Sequence, residues 1–392
     1  MKVLHISAAY KPAFIYGGPT RSVAKLCEEQ THGKLDVNVL TTNANGRTNL
    51  KTETGKWLDV DGVRVMYCKR WIGDHIQFSP GLLRKVFRVC RSYDVVHVHS
   101  WWNLTSVLSA MACLLHGITP VVSLRGTLSD YSFRKGRSLT KRLLHRMIGR
   151  RLLSKSVLHA TSAKEQAECF RVLGDVRLQV IPNILDLPDQ SLGGPRSEDK
   201  YILFVGRIHP VKNLELLLDG MQLANDPTMT LKVIGHGDTD YVEMLKEKAR
   251  SAGSSVEWMG AMDGEPKFRT IAQAQALVLT SLTENFGNVV VEALSQGTPV
   301  IVTKSTGICS FVAEHNFGWV IDNDPAEVVW ALEELKTDMS KVTRIRATAR
   351  SVVEVHLGRD HLMKQYLELY RNAGTLGKRQ STAELKSANP SA

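Results

Sequence analysis

Short runs of apolar and β-branched residues alternate with stretches of helical periodicity along almost the whole chain. Such runs, apolar without polar alternation, are typical of strands covered on both faces, as in parallel sheets with crossover helices. The first half has five predicted strands, over residues 3–8, 37–42, 95–100, 119–124 and 156–162. The second half has five more, over residues 201–206, 231–235, 256–260, 276–281 and 299–304. The pattern therefore predicts an α/β protein with doubly wound sheets.

The alternation is interrupted by residues 180–199, which contain three prolines, two glycines and several acidic residues. This composition indicates an interdomain linker, and a chain of 392 residues is long enough for two separate cores. Beyond the second domain the pattern predicts an amphipathic helix and then a polar tail. The predicted boundaries are a first domain over residues 1–182, a linker over 183–199, a second domain over 200–355, a helix over 356–375 and a disordered tail over 376–392.

The composition, with 43% hydrophobic and 23% charged residues, is that of an ordinary globular protein. The sequence contains no run of 18 apolar residues, and residues 1–12 lack the long apolar core of a secretory signal. The six cysteines are scattered without metal-ligand spacing, which disfavours a zinc site or a disulfide framework. We therefore expect a cytoplasmic protein.

The formal charge of +11 is concentrated in the first half of the chain. Residues 1–185 carry 28 Lys or Arg against 12 Asp or Glu, whereas residues 186–392 carry 22 against 27. Residues 133–164 contain ten Lys or Arg and no acid, with apolar residues at helical spacing, which predicts a basic amphipathic helix. Such a helix either lies on an anionic membrane surface or packs on the core with a basic outer face. A nucleic-acid partner is not expected, because no stacking aromatic residues are interleaved with the charge.

The segment over residues 283–302 is the richest in candidate chemistry. It places Glu284 before a Phe286-Gly287 turn and predicts a short helix that carries Glu292. A helix N-terminus offers unpaired N–H donors to an anion such as a diphosphate, and Asn288 shares one helix face with Glu292. The alternative is an ordinary capped helix with a solvated acid.

A second candidate segment, residues 206–213, follows a predicted strand and carries Arg207 and Lys212, two cations suited to a diphosphate. Gly235 begins a Gly-His-Gly turn after the next strand and permits close approach of a ligand. Neither a GxGxxG nor a P-loop pattern is present in these segments, which disfavours dinucleotide redox chemistry and NTP hydrolysis.

Taken together, these segments resemble the family 4 glycosyltransferases, which are retaining enzymes of the GT-B fold. The resemblance extends over nearly the whole chain and implies two doubly wound Rossmann-like domains facing a central cleft, with a C-terminal helix that crosses back to the first domain. The matching segments, in the family's order, are residues 16–19, 94–100, 159–162, 180–183, 205–213, 233–238 and 284–301.

The resemblance implies a role for each matching residue. Arg207 and Lys212 would bind the donor diphosphate and stabilise its departure, and Glu284 would contact hydroxyls of the donor sugar; these three are the implied catalytic residues. The family uses no metal or other cofactor in this step, so none is expected. The implied donor-binding residues are Gly17, Gly18, Gly235, Phe286, Gly287, Asn288, Val289 and Glu292, the last of them as the ribose ligand.

The chain departs from the family at one position. Many members carry a His-Gly pair near the end of the fourth or fifth strand of the first domain, whereas this chain has Arg125-Gly126. Because arginine is no general base near neutral pH, the departure argues against a histidine base and favours an anionic or phosphate-linked acceptor near Arg125. His99 and Trp101 are the other acceptor-side candidates, the alternative being a packed histidine and a buried tryptophan.

We therefore predict a retaining, metal-independent glycosyltransferase of the hexosyltransferase type, peripheral at the inner face of the cell membrane. Its expected partners are a nucleotide-sugar donor, a glycan or lipid-linked sugar acceptor in cell-surface polysaccharide synthesis, and an anionic membrane that the basic segment 133–164 contacts. The alternatives are a GT-B enzyme with a soluble acceptor, a sugar-nucleotide epimerase, and a non-catalytic membrane-docked subunit. A front-face substitution and a double displacement both remain open for the retaining chemistry.

Overall fold

The computed structural model describes residues 1–73, 77–129, 131, 145–193 and 200–387. The chain forms two compact units, which we call unit 1 and unit 2. Unit 1 consists of Met1–Ile184 together with the chain from Arg359 onward, and unit 2 is Leu185–Gly358. The division after Ile184 falls at the start of the predicted linker.

Unit 1 contains an eight-stranded sheet, a small hairpin and the first helices of the chain. Its strands are β1 (Lys2–Ser7), β2 (Asp36–Thr42), β3 (Ala44–Asn45), β4 (Thr48–Asn49), β5 (Trp57–Val60), β6 (Val63–Cys68), β7 (Val95–His99), β8 (Val121–Ser123), β9 (Val157–Ala160) and β10 (Leu178–Val180). Its helices before the linker are α1 (Gly18–His32), α2 (Pro80–Val89), α3 (Leu104–Leu115), α4 (Arg150–Ser154, after a turn of π-helix at His145–Gly149) and α5 (Ala163–Leu173).

The strand order of the large sheet is β10-β9-β8-β7-β1-β2-β6-β5, and the neighbours are parallel apart from the edge pair β5 and β6. Successive residues of β1 enter different hydrophobic clusters, Val3 in one and Leu4 in another, so the sheet is covered on both faces. The strand order reverses between β1 and β7. Ligands of open α/β sheets bind at such a reversal, outside the carboxyl ends of the strands.

The edge hairpin formed by β5 and β6 was not among the predicted strands. Its two strands are joined by Asp61 and Gly62, both with positive φ, and Val60 pairs with Val63 across the turn. An Asp-Gly dipeptide is the usual sequence of such a two-residue turn. The signal was therefore present in the sequence.

Unit 2 contains a six-stranded parallel sheet and its helices. The strands are β11 (Tyr201–Val205), β12 (Thr230–Ile234), β13 (Ser255–Gly260), β14 (Leu277–Leu279), β15 (Val300–Thr303) and β16 (Gly318–Ile321). The helices are α6 (Leu214–Ala224), α7 (Thr239–Ser251), α8 (Gly264–Gln273), α9 (Asn288–Ser295), α10 (Cys309–Glu314), α11 (Pro325–Thr337) and α12 (Met339–Leu357).

The sheet of unit 2 has the strand order β13-β12-β11-β14-β15-β16. Counted within the unit, this is the order 3-2-1-4-5-6 of a Rossmann domain, and its reversal lies between β11 and β14. The predicted class, two doubly wound α/β domains, is confirmed. Residues that follow β11 and β14 consequently lie at the place where such sheets bind ligands.

The final helix, α13 (Arg359–Ser387), returns to unit 1. Tyr366 and Tyr370, with Leu362 and Leu369, are buried in the cluster that contains Val3 of β1. The predicted crossover helix and its apolar side are thus confirmed.

Two predicted boundaries near the C-terminus differ from the structure. The helix begins after Gly358 rather than at residue 356, because Leu357 still ends α12. Residues 376–387, predicted to be a disordered tail, are helical; no proline occurs before Pro390, and extending an existing helix costs far less than nucleating one. Residues 388–392 of the predicted tail lie outside the described residues.

The basic segment 133–164 is described only in part. Its residues 133–144 lie outside the described ranges, and its later part contains α4 and β9. Among the described residues no helix has both the length and the hydropathy needed to cross a bilayer.

Candidate functional site

The turn at Pro210–Lys212 follows β11 and is tied to the end of β14. The Leu282 amide donates to Val211 O at 2.9 Å, and Thr280 Oγ1 donates to Asn213 O at 2.9 Å. Asn213, with φ of 52°, takes the left-handed conformation that asparagine tolerates and starts α6. These contacts hold the backbone of Lys212 beside the carboxyl end of β14.

Lys212 and Glu284 meet at this place. Lys212 Nζ donates to Glu284 Oε2, and the two side chains are 19% and 20% exposed. Arg207 lies on the same loop, but its side chain is exposed and forms no ion pair with a described residue. The structure thus brings together two of the three predicted catalytic residues and leaves the guanidinium of the third in solvent.

The loop that carries Glu284 is held by the backbone after β15. Glu284 N donates to Ser305 O at 3.1 Å, Gly307 N donates to Glu284 O at 3.0 Å, and Ile308 N donates to Phe286 O at 2.9 Å. These backbone hydrogen bonds tie the loop that carries Glu284 to the residues after β15, so the sheet fixes the position of the loop.

Gly287 ends this loop and is the N-cap of α9. Its φ is 101°, and a Cβ atom there would lie 2.9 Å from Thr306 Cγ2, so the position requires glycine. A glycine N-cap has no side chain to cover the helix end. The first turn of α9, which begins at Asn288 and Val289, therefore has no side-chain cap.

Glu292 lies one turn into α9 and pairs with Lys267 of α8. Lys267 Nζ is 3.0 Å from Glu292 Oε2, and the side chains are 14% and 15% exposed. Sequence reasoning missed Lys267, since nothing in the pattern of α8 indicates which neighbour it faces. The contact is an ion pair without hydrogen-bond geometry, and it makes Glu292 a half-buried, charge-paired acid rather than a freely solvated one.

Gly235 has a packing role in addition to its predicted contact with the donor. A Cβ atom on Gly235 would lie 1.9 Å from Gly206 O, and one on Gly237 would lie 2.1 Å from Ile208 O. The backbones after β11 and β12 therefore touch, and only glycine permits this approach. The packing positions the loop that carries Arg207.

Gly17 and Gly18 belong to unit 1 and form the entry to α1. Gly17 has φ of 75° and ψ of −141°, a conformation open to glycine, and no atom lies within 4 Å of the Cβ it lacks. The requirement at Gly17 is thus conformational and not steric. It leaves the N-terminal end of α1 open, as the predicted donor contact requires.

A chain of buried hydrogen bonds begins at His99, at the end of β7. His99 Nε2 is 2.8 Å from His5 Nδ1, and His5 Nε2 is 2.8 Å from Gln30 Oε1. Gln30 Nε2 in turn donates to the Tyr370 hydroxyl at 2.8 Å. His99 Nδ1 is enclosed and has no partner among the described residues.

The chain continues from Tyr370 to the backbone after β10. The Tyr370 hydroxyl is 2.8 Å from His97 Nδ1, and Ser123 Oγ is 2.6 Å from both His97 Nε2 and His159 Nδ1. His159 Nε2 ends the chain 2.8 Å from Ile181 O. A carbonyl oxygen only accepts, so His159 Nε2 must carry a hydrogen, and the direction of every earlier bond follows from this.

These directions fix the tautomers. Each histidine carries its hydrogen on Nε2, and His99 Nδ1 is left as a bare lone pair. Burial lowers the pKa of His5 to about 4 and that of His159 to about 3, and it places the pKa of His97 and of His99 well below the usual value. The nearby positive charge of Arg125 acts in the same direction, so all four rings are neutral at neutral pH.

His5, His97 and His99 also have potential ligand atoms within 4.8 Å of one another. Every nitrogen of the three rings except His99 Nδ1 is nevertheless used in a direct hydrogen bond, and both nitrogens of His97 are engaged by Tyr370 and Ser123. This cluster is better explained as a hydrogen-bonded network than as a metal centre. The expected independence from metals stays a prediction.

Arg125 follows β8 and lies close to this network. Its Nη1 donates to Ser22 Oγ at 2.8 Å and to Asn183 Oδ1 at 3.2 Å. Its Nε is enclosed and has no hydrogen-bond partner among the described residues. Burial lowers the pKa of the guanidinium, although it remains protonated at neutral pH.

Trp101 does not fit the predicted contact with an acceptor sugar. Its ring is fully buried in the core of unit 1, with an indole N–H that has no partner in the described part of the chain. A ring enclosed by apolar side chains offers no face for stacking, so packing explains this residue. The neighbouring Trp102 is half-buried and donates to Thr127 O.

Both halves of the chain match known protein families. Residues 17–184 match the family described as glycosyl transferase 4-like domain, and residues 191–352 match the glycosyl transferases group 1. The two matches together leave out the start, the short segment between the units and the final helix.

Individual relatives agree with these matches. A GDP-mannose:cellobiosyl-diphosphopolyprenol alpha-mannosyltransferase of Xanthomonas campestris is 23% identical over 95% of this chain and 97% of its own length. An uncharacterized glycosyltransferase of Methanocaldococcus jannaschii is 28% identical, although the match spans about half of each chain, 46% and 47%. The crystal structure of HepE from Anabaena, in complex with UDP and glucose, has a TM-score of 0.74 at 20% identity and covers 95% of this chain and 100% of HepE.

Proposed function

This chain belongs to the glycosyltransferases of the 4-like and group 1 families, which share the GT-B fold, and on that premise we propose a retaining, metal-independent hexosyl transfer. The donor is a nucleotide sugar. The acceptor is a lipid-linked or membrane-surface glycan in the assembly of a cell-surface polysaccharide at the inner face of the membrane. The observation that carries the proposal is the ion pair of Lys212 and Glu284 at the strand reversal of unit 2.

Lys212 is suited to act on the leaving diphosphate. Departure of the nucleotide concentrates negative charge on the phosphate, and a preorganised, half-buried cation stabilises that charge more than the charge of the ground state. The hydrogen bond that Lys212 donates to Glu284 orients Lys212 before the nucleotide sugar binds. Arg207, whose side chain is free in solvent, closes on the diphosphate when it arrives.

The N-terminal end of α9 supplies the other contacts to the nucleotide sugar. Amides of the first turn hold the diphosphate, Glu284 accepts hydrogen bonds from sugar hydroxyls, and Glu292 accepts them from the ribose. Lys267 keeps the Glu292 carboxylate in one orientation. Support for a nucleotide-sugar donor comes from HepE, which was crystallised with UDP and glucose, and from the GDP-mannose named for the Xanthomonas relative.

A panel of UDP-, GDP- and ADP-sugars tests the donor class. At a hundredfold excess over its dissociation constant, a true donor should stabilise the chain by about 2.7 kcal/mol, measured as a shift in Tm. The Lys212→Ala variant should show a smaller shift. If no member of the panel raises Tm, a nucleotide-sugar site is contradicted.

The described part of unit 1 also supports a membrane-side acceptor. Helices α2, α3 and α4 pack side by side, and no acid occurs in their sequences. Their exposed basic side chains form no ion pair with described residues, and exposed apolar side chains accompany them. The basic residues are Arg84, Arg88, Arg150 and Arg151, and the apolar ones are Phe87, Leu115, Met147 and Ile148.

Sedimentation with vesicles tests this surface. The chain should bind vesicles rich in anionic lipid at physiological salt and should not bind neutral ones. The double variant Arg84→Glu/Arg88→Glu should weaken binding by about tenfold or more, because each basic residue near the surface contributes about 1 kcal/mol. The matched reversal Lys246→Glu/Arg250→Glu on α7 of unit 2 is the control. Equal loss in both variants, or no binding to anionic vesicles, would refute membrane docking through this surface.

A further inference from the structure

We propose that Arg125 anchors an oxyanion site in unit 1 and that this site takes a phosphate or carboxylate group of the sugar acceptor. The inference rests on the proposed function for the identity of the ligand. It rests on the structure alone for the existence of the site.

The guanidinium of Arg125 has no counterion. Both of its protein acceptors, Ser22 Oγ and Asn183 Oδ1, are neutral, and no carboxylate of a described residue lies within ion-pair distance. Its Nε–H is enclosed without an acceptor. A cation withdrawn from water without a compensating charge is unfavourable, so a ligand that supplies the charge would be strongly favoured.

The nearest acid does not neutralise Arg125. Glu165 is buried on α5 and accepts hydrogen bonds from Gly126 N at 2.5 Å, Thr161 N at 2.7 Å and Thr161 Oγ1 at 3.0 Å. It is close enough to raise the pKa of Arg125, yet burial outweighs it and the net shift is downward. The carboxylate thus positions the Arg125-Gly126 loop and leaves the guanidinium for another partner.

The histidine network near Arg125 is neutral and contains one enclosed nitrogen without a hydrogen bond. The donors of His5, His97 and His159 are used inside the network, and His99 Nδ1 remains a bare lone pair within reach of the charge of Arg125. The network is therefore neutral and supplies no negative charge to compensate Arg125.

The backbone of Arg125 is held in an unfavourable conformation. Its φ is 52°, and Gly126 follows with φ of 75°. A bulky residue rarely occupies this left-handed region, and it persists there only when its surroundings hold it, as at ligand clamps. Only glycine, asparagine or aspartate would adopt this turn readily, so the arginine is maintained against local preference.

Inorganic phosphate is the first probe of this site. The donor diphosphate site would also bind phosphate, so the measurement uses the full chain with Arg207→Met/Lys212→Met as background. At constant ionic strength, phosphate should raise the Tm of this background protein saturably. Adding Arg125→Met should lower the phosphate affinity by about tenfold or more, while Arg177→Met, which removes an exposed arginine of the same unit, should not.

The unliganded protein provides a second readout. Without phosphate, Arg125→Met should have a higher Tm than its parent, because an unpaired cation is replaced by an apolar side chain of similar length. Arg125→Lys should retain part of the phosphate effect. The proposed site would be contradicted if phosphate raised the Tm equally after Arg125→Met was added, or if phosphate gave no saturable increase in Tm at all.

Kinetics of the Arg125→Met single variant show whether the anion that binds Arg125 belongs to the acceptor or to the nucleotide sugar. In a glycosyl-transfer assay, Arg125→Met should raise the KM of the acceptor and leave the KM of the nucleotide sugar unchanged. An effect on the donor KM alone would overturn the assignment to the acceptor. If no nucleotide sugar supports transfer, the proposed function fails while the phosphate titration still decides on the site.

Discussion

Glycosyl transfer by the Lys212→Ala variant should be about 10²–10³-fold slower than by the wild-type protein. The substitution removes the cation that the structure places beside Glu284 at the reversal between β11 and β14. The loss should fall on kcat, since the charge on the diphosphate grows as the glycosidic bond breaks. Donor affinity should also decrease, because the phosphates lose the positive charge of Lys212.

A matched lysine separates this effect from a general loss of stability. Lys248 Nζ lies 2.6 Å from Asp219 Oδ1 in the same unit, also in a partly exposed ion pair. The Lys248→Ala variant should transfer sugar at nearly the wild-type rate. A Lys212→Ala variant that keeps its Tm and its wild-type transfer rate would remove Lys212 from the mechanism.

Acid should destabilise unit 1 well above the pH at which carboxylates titrate. The four network histidines are neutral in the folded chain, with a pKa of about 4 for His5 and about 3 for His159, whereas an unfolded histidine has its ordinary pKa of 6.5. The unfolded state therefore binds more protons below pH 6.5. Stability is complete above that pH and decreases as the pH falls toward the folded pKa values.

The expected size of this effect is large. At pH 5, each buried neutral histidine lowers the free energy of unfolding by about 2 kcal/mol relative to pH 7. Two or more such residues would take up much of the ~5–15 kcal/mol available to a domain. Urea titrations followed by fluorescence between pH 7.5 and pH 5 should show a steep decrease in the transition midpoint.

An exposed histidine is the control for acid sensitivity. His361 on α13 lies at the surface, and His361→Gln should leave the pH profile unchanged. His159→Gln should flatten the profile relative to the wild type, even if the variant is less stable at pH 7. A midpoint that stays constant between pH 7 and pH 5 would show that the histidines are not held neutral.

Most of the ten predicted strands were predictable because they are buried on both faces and therefore apolar throughout; β13, at the edge of its sheet, is mostly exposed. Four strands of the eight-stranded and six-stranded sheets were not predicted. β5 and β10 contain no fully buried residue, which explains why the pattern misses them. β6 and β16 are largely buried, so their burial does not explain why they were missed. β16 is also unusual in that Gly318 lies directly against Val300 O of β15, a contact that no sequence period indicates.

The same contrast applies to the candidate site. Lys212 and Glu284 were predictable because each follows a strand whose carboxyl end lies at the reversal. Lys267 was not, since its meeting with Glu292 depends on how α8 and α9 pack. Trp101 was misjudged because an aromatic residue beside a strand end fits a sugar platform and a core equally well, and only its burial distinguishes them.

Unit 1 is assembled from both ends of the chain, and this has a consequence for synthesis on the ribosome. Tyr370 meets His97 across 273 residues of sequence, so Val3 and its neighbours stay uncovered until α13 leaves the exit tunnel. Unit 2 meanwhile has all of its own residues and can fold first. The nascent N-terminal half is thus expected to depend on chaperones until α13 has emerged from the ribosome. A stop codon after Gly358 would leave unit 2 intact and unit 1 without its closing helix.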